Sequence, residues 1–270
     1  MPAARPRENA VAEATAPVKG TRPEGAATEA DAASKVRKMF TQIAPRYDLL
    51  NHLLSLQLDR LWRGRAAKLM RPILQRPEAL VLDLCCGTGD LTLALARAGK
   101  ARIIGADFAH PMLVRAREKS ALQTPAANAT TASPMALFEA DALRLPFASD
   151  SFDLVTTAFG FRNLANYETG LREIQRVLKP GGTIAILEFT EPPEGLLGDF
   201  YRWYFCKVLP GIGGLISGNR SAYTYLPKSV ARFFRPPELA ALMAAAGYGS
   251  VDYRVWTLGT VALHTAVRPG

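Results

Sequence analysis

Cysteine is scarce in this sequence. The 270 residues include only Cys85, Cys86 and Cys206. Neighbouring cysteines do not easily bridge each other, and the sequence has neither a Cys-x-x-Cys pair nor a cysteine–histidine metal spacing. These absences argue against a disulfide framework, and we expect no metal site. A reducing cytoplasm is therefore the expected location of the chain.

Long apolar runs are missing as well. No run approaches the roughly 20 residues that cross a bilayer, and the N-terminus lacks the apolar core of a secretory signal. The chain is nevertheless 49% hydrophobic, which favours one large globular domain with a sizeable core. The net charge of +9 favours an acidic partner, such as nucleic acid, an anionic ligand or an anionic membrane face.

Two segments have the composition of irregular chain. Residues 1–33 are rich in Ala, Pro, Glu and Thr and predict a disordered tail, because they cannot form a core. A transit peptide is the alternative, but the five acidic residues of this tail argue against it. The low-complexity composition of residues 121–134 predicts a surface loop insertion. Residues 34–270 are expected to form one domain around this loop.

Between these segments, strand patterns alternate with helical patterns. The strand patterns are "ALVLDLCC", "ARIIGADF", "ALFEAD", "FDLVTTAF" and "TIAILEF". This alternation predicts an α/β fold with a parallel sheet. Two further strand patterns, "SVDYRVW" and "TVALHTAV", are joined only through Leu258 and Gly259. This link is too short for a parallel crossover, so the two strands should pair antiparallel. Such a sheet resembles the Rossmann-like sheet of class I methyltransferases more than that of a dinucleotide dehydrogenase.

A glycine turn follows the first predicted strand, in "VLDLCCGTGDL". Gly87 and Gly89 allow a sharp turn and a close approach of a ligand to the backbone. Asp83 lies at the end of this strand, and Asp107 ends the second strand, 18 residues after Gly89. An acid in the position of Asp107 accepts hydrogen bonds from both ribose hydroxyls of a nucleoside. The alternative for Asp107 is a helix N-cap.

The residues around this turn distinguish between two nucleoside cofactors. A dinucleotide site requires a third glycine where this sequence has Thr92. Asp90 adds a carboxylate where a pyrophosphate needs neutral or positive groups. A carboxylate suits the sulfonium and ammonium groups of S-adenosylmethionine better. Asp141 and Ala142 follow the third strand, where methyltransferases hold the adenine; an ordinary turn is the alternative for Asp141.

Several motifs together carry a family resemblance. They are "FTQIAPRYDLLNHLLSLQLDRLWR", "LDLCCGTGDL", "DALRLPFASDSFDLVTTAFGFRN", "RVLKPGG", "LEF" and "YTYLPKSVARF". From about Val36 to the C-terminus, the chain resembles the UbiE/MenG-type quinone C-methyltransferases. The resemblance implies a class I methyltransferase fold and S-adenosylmethionine bound by Thr88, Asp107, Asp141 and Ala142. The chain departs from the family at Ala158, where some relatives have serine, and at Cys86, where glycine is common.

The resemblance also implies a substrate, a reduced quinone with a prenyl tail. A hydroquinone ring is electron-rich enough to attack a methyl sulfonium, whereas an oxidised ring is not. Arg162 is charged at any accessible pH and would stabilise a developing phenolate, while Asn163 would orient a hydroxyl or a water. The alternative for Arg162 is a structural salt bridge. The proton acceptor stays open among Tyr47, Asp48, His52 and a water on Asn163.

Two segments outside the predicted sheet resemble lids. Residues 34–75 combine apolar helical faces with many basic residues, and residues 195–227 are rich in aromatics and glycines. Such segments would exclude water and receive a prenylated ring; an ordinary helix pair is the alternative. The basic residues allow a peripheral contact with an anionic membrane. The sequence also allows a homo-oligomer.

The predicted activity is therefore methylation of a prenylated quinol, with 2-demethylmenaquinol favoured over a benzoquinol of ubiquinone synthesis. A NAD-linked oxidoreductase on the same sheet is weakened by Asp90 and by the missing third glycine. A nucleic-acid-binding protein is weakened because the aromatic residues cluster with glycines instead of interleaving with arginines. We therefore expect no nucleic-acid partner.

Overall fold

The computed structural model describes residues 20–55, 57–123, 135–191, 195, 198 and 220–270. Within these residues, seven strands form one sheet in the order β3-β2-β1-β4-β5-β7-β6. The strands are β1 Leu80–Leu84, β2 Arg102–Asp107, β3 Met135–Glu139, β4 Phe152–Ala158, β5 Leu178–Phe189, β6 Gly249–Trp256 and β7 Val261–Val267. The first five are parallel, and β7 pairs antiparallel with both β5 and β6. The predicted sheet and its antiparallel hairpin are confirmed.

Helices cover the sheet and one end of it. In chain order they are α1 Glu29–Ile43, α2 Tyr47–Leu54, α3 Leu58–Leu69, α4 Arg71–Leu74, α5 Asp90–Ala98, α6 His110–Gln123, α7 Tyr167–Val177, α8 Arg220–Ala231 and α9 Pro236–Ala245. None of these described helices is long and apolar enough to cross a membrane.

The candidate site lies at the centre of the sheet. The strands β1 and β4 are adjacent, and the chain runs outward from β1 to β2 and β3 on one side and from β4 to β5 on the other. Their aliphatic residues are buried on both faces, as Leu82 and Leu154 show. In open α/β sheets, ligands bind beside the carboxyl ends of the strands where the order reverses. This crevice lies between the ends of β1 and β4.

Residues before the expected domain boundary at residue 34 also pack on the domain. The backbone N–H of Thr21 donates to the carbonyl of Leu164 at 2.7 Å. Helix α1 begins at Glu29 because the Thr28 hydroxyl caps it, accepting from the N–H of Asp31. Residues 20–33 therefore pack on the domain and do not belong to a disordered tail.

Parts of three predicted segments lie outside the described residues. These parts are residues 1–19 of the tail, residues 124–134 of the loop insertion, and residues 196–197 and 199–219 of the second lid. The aromatic residues Phe200 to Phe205 belong to the last of these. Residues 220–227 of the second lid form the first two turns of α8.

Candidate active site

The turns after β1 and β4 touch each other at the crevice. Cys85 and Phe159, the first residues after these strands, both have left-handed backbones with φ of 55° and 60°. Such a conformation is strained for a bulky residue and often marks a functional turn. Gly160 packs directly on Cys85, because a Cβ added to this glycine would lie 2.4 Å from the Cβ of Cys85. Only glycine lets the two turns approach this closely.

The glycine turn adopts the conformation that its sequence predicts. Gly87 and Gly89 have φ of 54° and 83°, and Gly89 is the N-cap residue of α5. The carboxylate of Asp107 accepts from the N–H of Gly87 and from that of Ala109, both at 2.9 Å. Burial raises the pKa of Asp107 to about 6. Asp107 therefore stabilises this turn and the start of α6.

A narrow pocket lies at the carboxyl ends of β1 to β4. Its free volume of about 60 Å³ is far below the ~300 Å³ or more of ordinary small-molecule pockets. Six predicted site residues contribute to its wall, namely Tyr47, Gly87, Asp107, Asp141, Ala142 and Asn163. Four others, Asp83, Thr88, Gly89 and Arg162, do not line it.

Asp83 is buried behind the pocket wall. It is fully inaccessible and accepts from the hydroxyl of Thr92 at 2.6 Å and from that of Thr156 at 3.0 Å. Burial raises its pKa to about 6. Because Asp83 is fully buried and does not line the pocket, the structure assigns it to the scaffold that joins β1, α5 and β4.

The N-terminal helices close over the pocket. Tyr47 of α2 and Phe40 of α1 both contribute to its wall, with their rings edge to face at 6.0 Å. Burial raises the pKa of the Tyr47 phenol above its ordinary value. The phenol is therefore a hydrogen-bond donor in this site and a poor proton acceptor.

Arg162 forms a buried ion pair with Glu188 of β5. Its Nη1 donates to Oε1 of Glu188 at 2.5 Å and to the carbonyl of Phe159 at 2.6 Å. The backbone N–H of Arg162 donates to Oε2 of the same glutamate at 3.1 Å. Both side chains are almost fully buried. This geometry matches the structural salt bridge that was the alternative for Arg162.

Asn163 reaches the pocket wall beside this ion pair. Its Oδ1 accepts from the hydroxyl of Tyr225 at 3.0 Å. Its Nδ2 lies 3.4 Å from the carbonyl of Phe159. Of the two neighbouring residues predicted to act on substrate, only Asn163 therefore faces the pocket.

A charge network fastens α2 to the glycine turn. The Lys119 ammonium of α6 donates to Asp90 at 2.6 Å, to Asp48 of α2 at 2.7 Å and to the Thr88 hydroxyl at 3.1 Å. The Thr88 hydroxyl also donates to Asp48. Thr88 thus links the lid to the turn without lining the pocket.

Three side chains of this network, His52, Asp59 and Asp90, could each offer one atom to a metal ion. These three atoms lie within 4.8 Å of one another. Nδ1 of His52 is 2.8 Å from Asp59. The Arg63 guanidinium donates to Asp59 and lies 3.7 Å from Asp90. A guanidinium therefore already compensates these acids.

Comparison with known proteins decides the family. The family model described as the ubiE/COQ5 methyltransferase family matches residues 28–268. The chain belongs to this family. It is 52% identical over 232 residues to a demethylmenaquinone methyltransferase of Thermus thermophilus, covering 86% of this chain and 100% of the relative. It is 48% identical over 234 residues to a demethylmenaquinone methyltransferase of Deinococcus radiodurans, covering 86% and 92%.

Solved structures agree on the fold. A SAM-dependent methyltransferase from Thermotoga maritima, described as a possible histamine N-methyltransferase, superposes with a TM-score of 0.60 at 20% identity. The match covers 86% of this chain and 99% of that chain. The predicted class I methyltransferase fold and the predicted resemblance to the UbiE family are both confirmed.

Two charged residues of the site, Glu188 and Lys119, were not predicted from the sequence. Glu188 lies in the apolar run "TIAILEF", where a lone acid within a buried strand could have indicated a buried cationic partner. Lys119 lies in "RAREKSAL", whose many charges are typical of an exposed helix face, so no local signal distinguishes it. Its role depends on tertiary placement.

Removing one partner of the ion pair between Arg162 and Glu188 should greatly lower the stability of the fold. Glu188→Ala should lower the free energy of unfolding by about 3–5 kcal/mol, because it leaves Arg162 buried without a counter-charge. Urea unfolding measures this change. Glu118→Ala is the matched control, since Glu118 forms an exposed pair with Arg115 and should cost less than about 1 kcal/mol.

A double replacement tests whether the lost stability comes from the charge that is left unpaired. Arg162→Met combined with Glu188→Leu removes both charges and should recover most of the lost stability. Equal stability of Glu188→Ala and wild type would contradict the role of the pair.

Proposed function

We propose that the chain transfers the methyl group of S-adenosylmethionine to a ring carbon of demethylmenaquinol, in menaquinone biosynthesis. The observation that carries this proposal is a narrow pocket whose wall combines Asp107 with Asn163 and Tyr47. Membership in the ubiE/COQ5 methyltransferase family supports the reaction type. The names of the two bacterial relatives support the naphthoquinol substrate over a benzoquinol.

The residues present fit the cofactor. Asp107 reaches the wall with a carboxylate that has spare acceptor capacity for ribose hydroxyls. Asp141 and Ala142 supply the far end of the same wall, where an adenine would lie beside the partly apolar lining formed by Met112 and Leu143. A Cβ on Gly87 would point toward Tyr47 at 3.9 Å, so its absence keeps the turn open to a ligand. The cofactor supplies an electrophilic methyl group when bound.

The small pocket requires the lid to move before binding. A free volume of about 60 Å³ is small for a cofactor and a ring together, since ordinary small-molecule pockets measure about 300 Å³ or more. Phe40 of α1 and Tyr47 of α2 both line this pocket. We infer that α1 and α2 open to admit the ligands and close again to exclude water.

The pocket residues act on the oxygen of the ring. Ionising a phenol with a pKa of about 10 costs roughly 4 kcal/mol at pH 7. Hydrogen-bond donors in a desolvated pocket lower this cost by stabilising the phenolate. Asn163 and the protonated phenol of Tyr47 are the donors on this wall. Arg162 contributes indirectly, because its charge is compensated by Glu188 and its guanidinium fixes the turn that carries Asn163.

Quinol methylation predicts a strict redox requirement. A short-chain demethylmenaquinone should accept a labelled methyl group from S-adenosylmethionine only after reduction with dithionite, because only the reduced ring is nucleophilic. A demethylated benzoquinol, assayed in parallel, should react more slowly. Equal turnover of the oxidised ring would rule out the mechanism, and faster turnover of the benzoquinol would reassign the substrate.

Asn163 should affect catalysis and not cofactor binding. Asn163→Ala should lower kcat about 100- to 1,000-fold, the usual effect of losing a donor to a developing oxyanion. Affinity for S-adenosylmethionine, measured by calorimetry, should be unchanged because β1 separates the Asn163 turn from Asp107.

A neighbouring asparagine provides the control. Asn166 caps α7, accepting from the N–H of Thr169 at 3.0 Å, and it is absent from the pocket wall. Asn166→Ala should cost about 1 kcal/mol of stability and leave kcat unchanged. Comparable activity of the two alanine variants would remove Asn163 from the mechanism.

A substrate with a prenyl tail also requires access to a membrane. The exposed face of α3 carries Arg60, Leu61, Arg65 and Lys68, and Leu61 is 47% exposed. Basic residues beside an exposed leucine suit an anionic lipid surface. We therefore propose a cytoplasmic protein that contacts the membrane peripherally through this face.

Vesicle sedimentation tests the α3 face. Wild-type protein should sediment with phosphatidylglycerol vesicles more than with phosphatidylcholine vesicles, and added salt should release it. The double variant Arg65→Glu and Lys68→Glu should lose most of this binding. The control double variant Arg172→Glu and Arg254→Glu, at exposed positions on α7 and β6, should retain it. An equal loss in both variants would contradict this assignment.

A further inference from the structure

The hydroxyl of Tyr225 joins three parts of the chain beside the pocket. It donates to Oδ1 of Asn163 at 3.0 Å and lies 2.9 Å from Oγ1 of Thr21. Tyr225 belongs to α8, Asn163 to the turn after β4, and Thr21 to the segment before α1. One phenol thus holds the N-terminal segment, a C-terminal helix and the pocket wall together.

The direction of these hydrogen bonds follows from the number of protons. A phenol has one proton, and that of Tyr225 is directed to the amide oxygen of Asn163. The Thr21 hydroxyl must therefore donate to the phenolic oxygen. Donation runs in one direction, from Thr21 to Tyr225 to Asn163. In a partly desolvated setting, each bond in such a chain strengthens the next one.

This chain fixes which end of the Asn163 amide is available to a ligand. The amide oxygen is already engaged by Tyr225. The nitrogen makes only a long contact of 3.4 Å with the carbonyl of Phe159, and Arg162 donates to that carbonyl at 2.6 Å. Asn163 therefore offers N–H donors, which match the oxyanion of a phenolate.

We propose that Tyr225 is a positioning residue that orients the Asn163 amide with its N–H groups toward the ring oxygen of the substrate. This inference rests on the proposed methylation of a quinol. Without the phenolic hydroxyl, the amide is free to rotate by half a turn, since its two ends are nearly equal in shape. The rotated amide would present oxygen to the phenolate and would repel it.

Other charged or titratable groups surround this chain of hydrogen bonds. They are Arg162 and Glu188 beside Tyr225, Tyr47, Cys85, Asp107 and Asp141 on the pocket wall, and Arg22, Glu24, Lys228 and Arg232 around the cavity behind Tyr225. Burial raises the pKa of the Tyr225 phenol, which keeps it protonated as a donor. The variants below change none of the other groups.

Single-turnover rates of methyl transfer, measured from pH 6 to 10 on a short-chain demethylmenaquinol, test the proposal. The rate should rise with pH as the bound phenol ionises. Tyr225→Phe should move the midpoint of this rise upward by about one pH unit, the tenfold equivalent of one neutral hydrogen bond. Its rate should fall about tenfold at pH 7 and approach the wild-type rate at pH 10. Thr21→Val should cause a smaller shift in the same direction.

Tyr248→Phe is the matched control. The hydroxyl of Tyr248 is buried and donates to the carbonyl of Leu171 at 2.9 Å, and Tyr248 is absent from the pocket wall. This variant should lose similar stability in a thermal melt without a shift in the pH profile. In an Asn163→Ala background, Tyr225→Phe should have no further effect on the profile, because the group that it orients is gone.

The possible outcomes separate this inference from the proposed function. A Tyr225→Phe profile that matches wild type, or that is lowered equally at every pH, would overturn the positioning role. So would a further shift in the Asn163→Ala background. Failure of the wild-type protein to methylate any quinol would instead overturn the proposed function. If Tyr225→Phe did not fold, Thr21→Val would provide the same test.

Discussion

The buried ion pair between Arg162 and Glu188 is the constraint on which the site depends. The carboxylate of Glu188, near the end of β5, accepts from the side chain and the backbone of Arg162 and from the N–H of Phe189. The same guanidinium holds the carbonyl of Phe159, a residue with a strained backbone. Replacing such a pair by apolar residues is often neutral for stability. The ion pair therefore contributes here by fixing the geometry of the turn that carries Asn163.

A second, more exposed set of charges fastens α2 to the glycine turn. Lys119 neutralises Asp48 and Asp90 together, and these acids come from α2 and from the helix after the glycine turn. Their side chains are partly exposed, so the net energy of each pair is modest. Partly solvated ion pairs of this kind break more readily than a buried pair. They are therefore compatible with the proposed opening of α1 and α2, while the pair of Arg162 and Glu188 stays formed.

The sequence predicted the framework of the site better than its internal chemistry. Strand alternation, the glycine turn and Asp107 are local signals, and the structure places them as expected. Asp83 was predicted to bind the cofactor, but it is fully buried and hydrogen-bonded to Thr92 and Thr156. Arg162 was predicted to stabilise phenolate, but Glu188 compensates its charge. In both residues, a partner brought near only by folding decides the role, and one sequence carries no signal for such partners.

The pocket chemistry favours anion stabilisation over general-base catalysis. Burial raises the pKa of Tyr47 and of Cys85, so neither is a ready proton acceptor. The ring carbon beside the phenolate oxygen would take the methyl group as the bond from that methyl to the sulfonium breaks and a thioether leaves. The product is a ring ketone that still carries a proton on the methylated carbon. Loss of that proton restores aromaticity, so a weak base such as water suffices for this step. The demanding step is ionisation of the phenol, and oriented donors in a desolvated pocket act on that step. Oriented hydrogen-bond donors are therefore sufficient for this reaction, and it does not require a strong base.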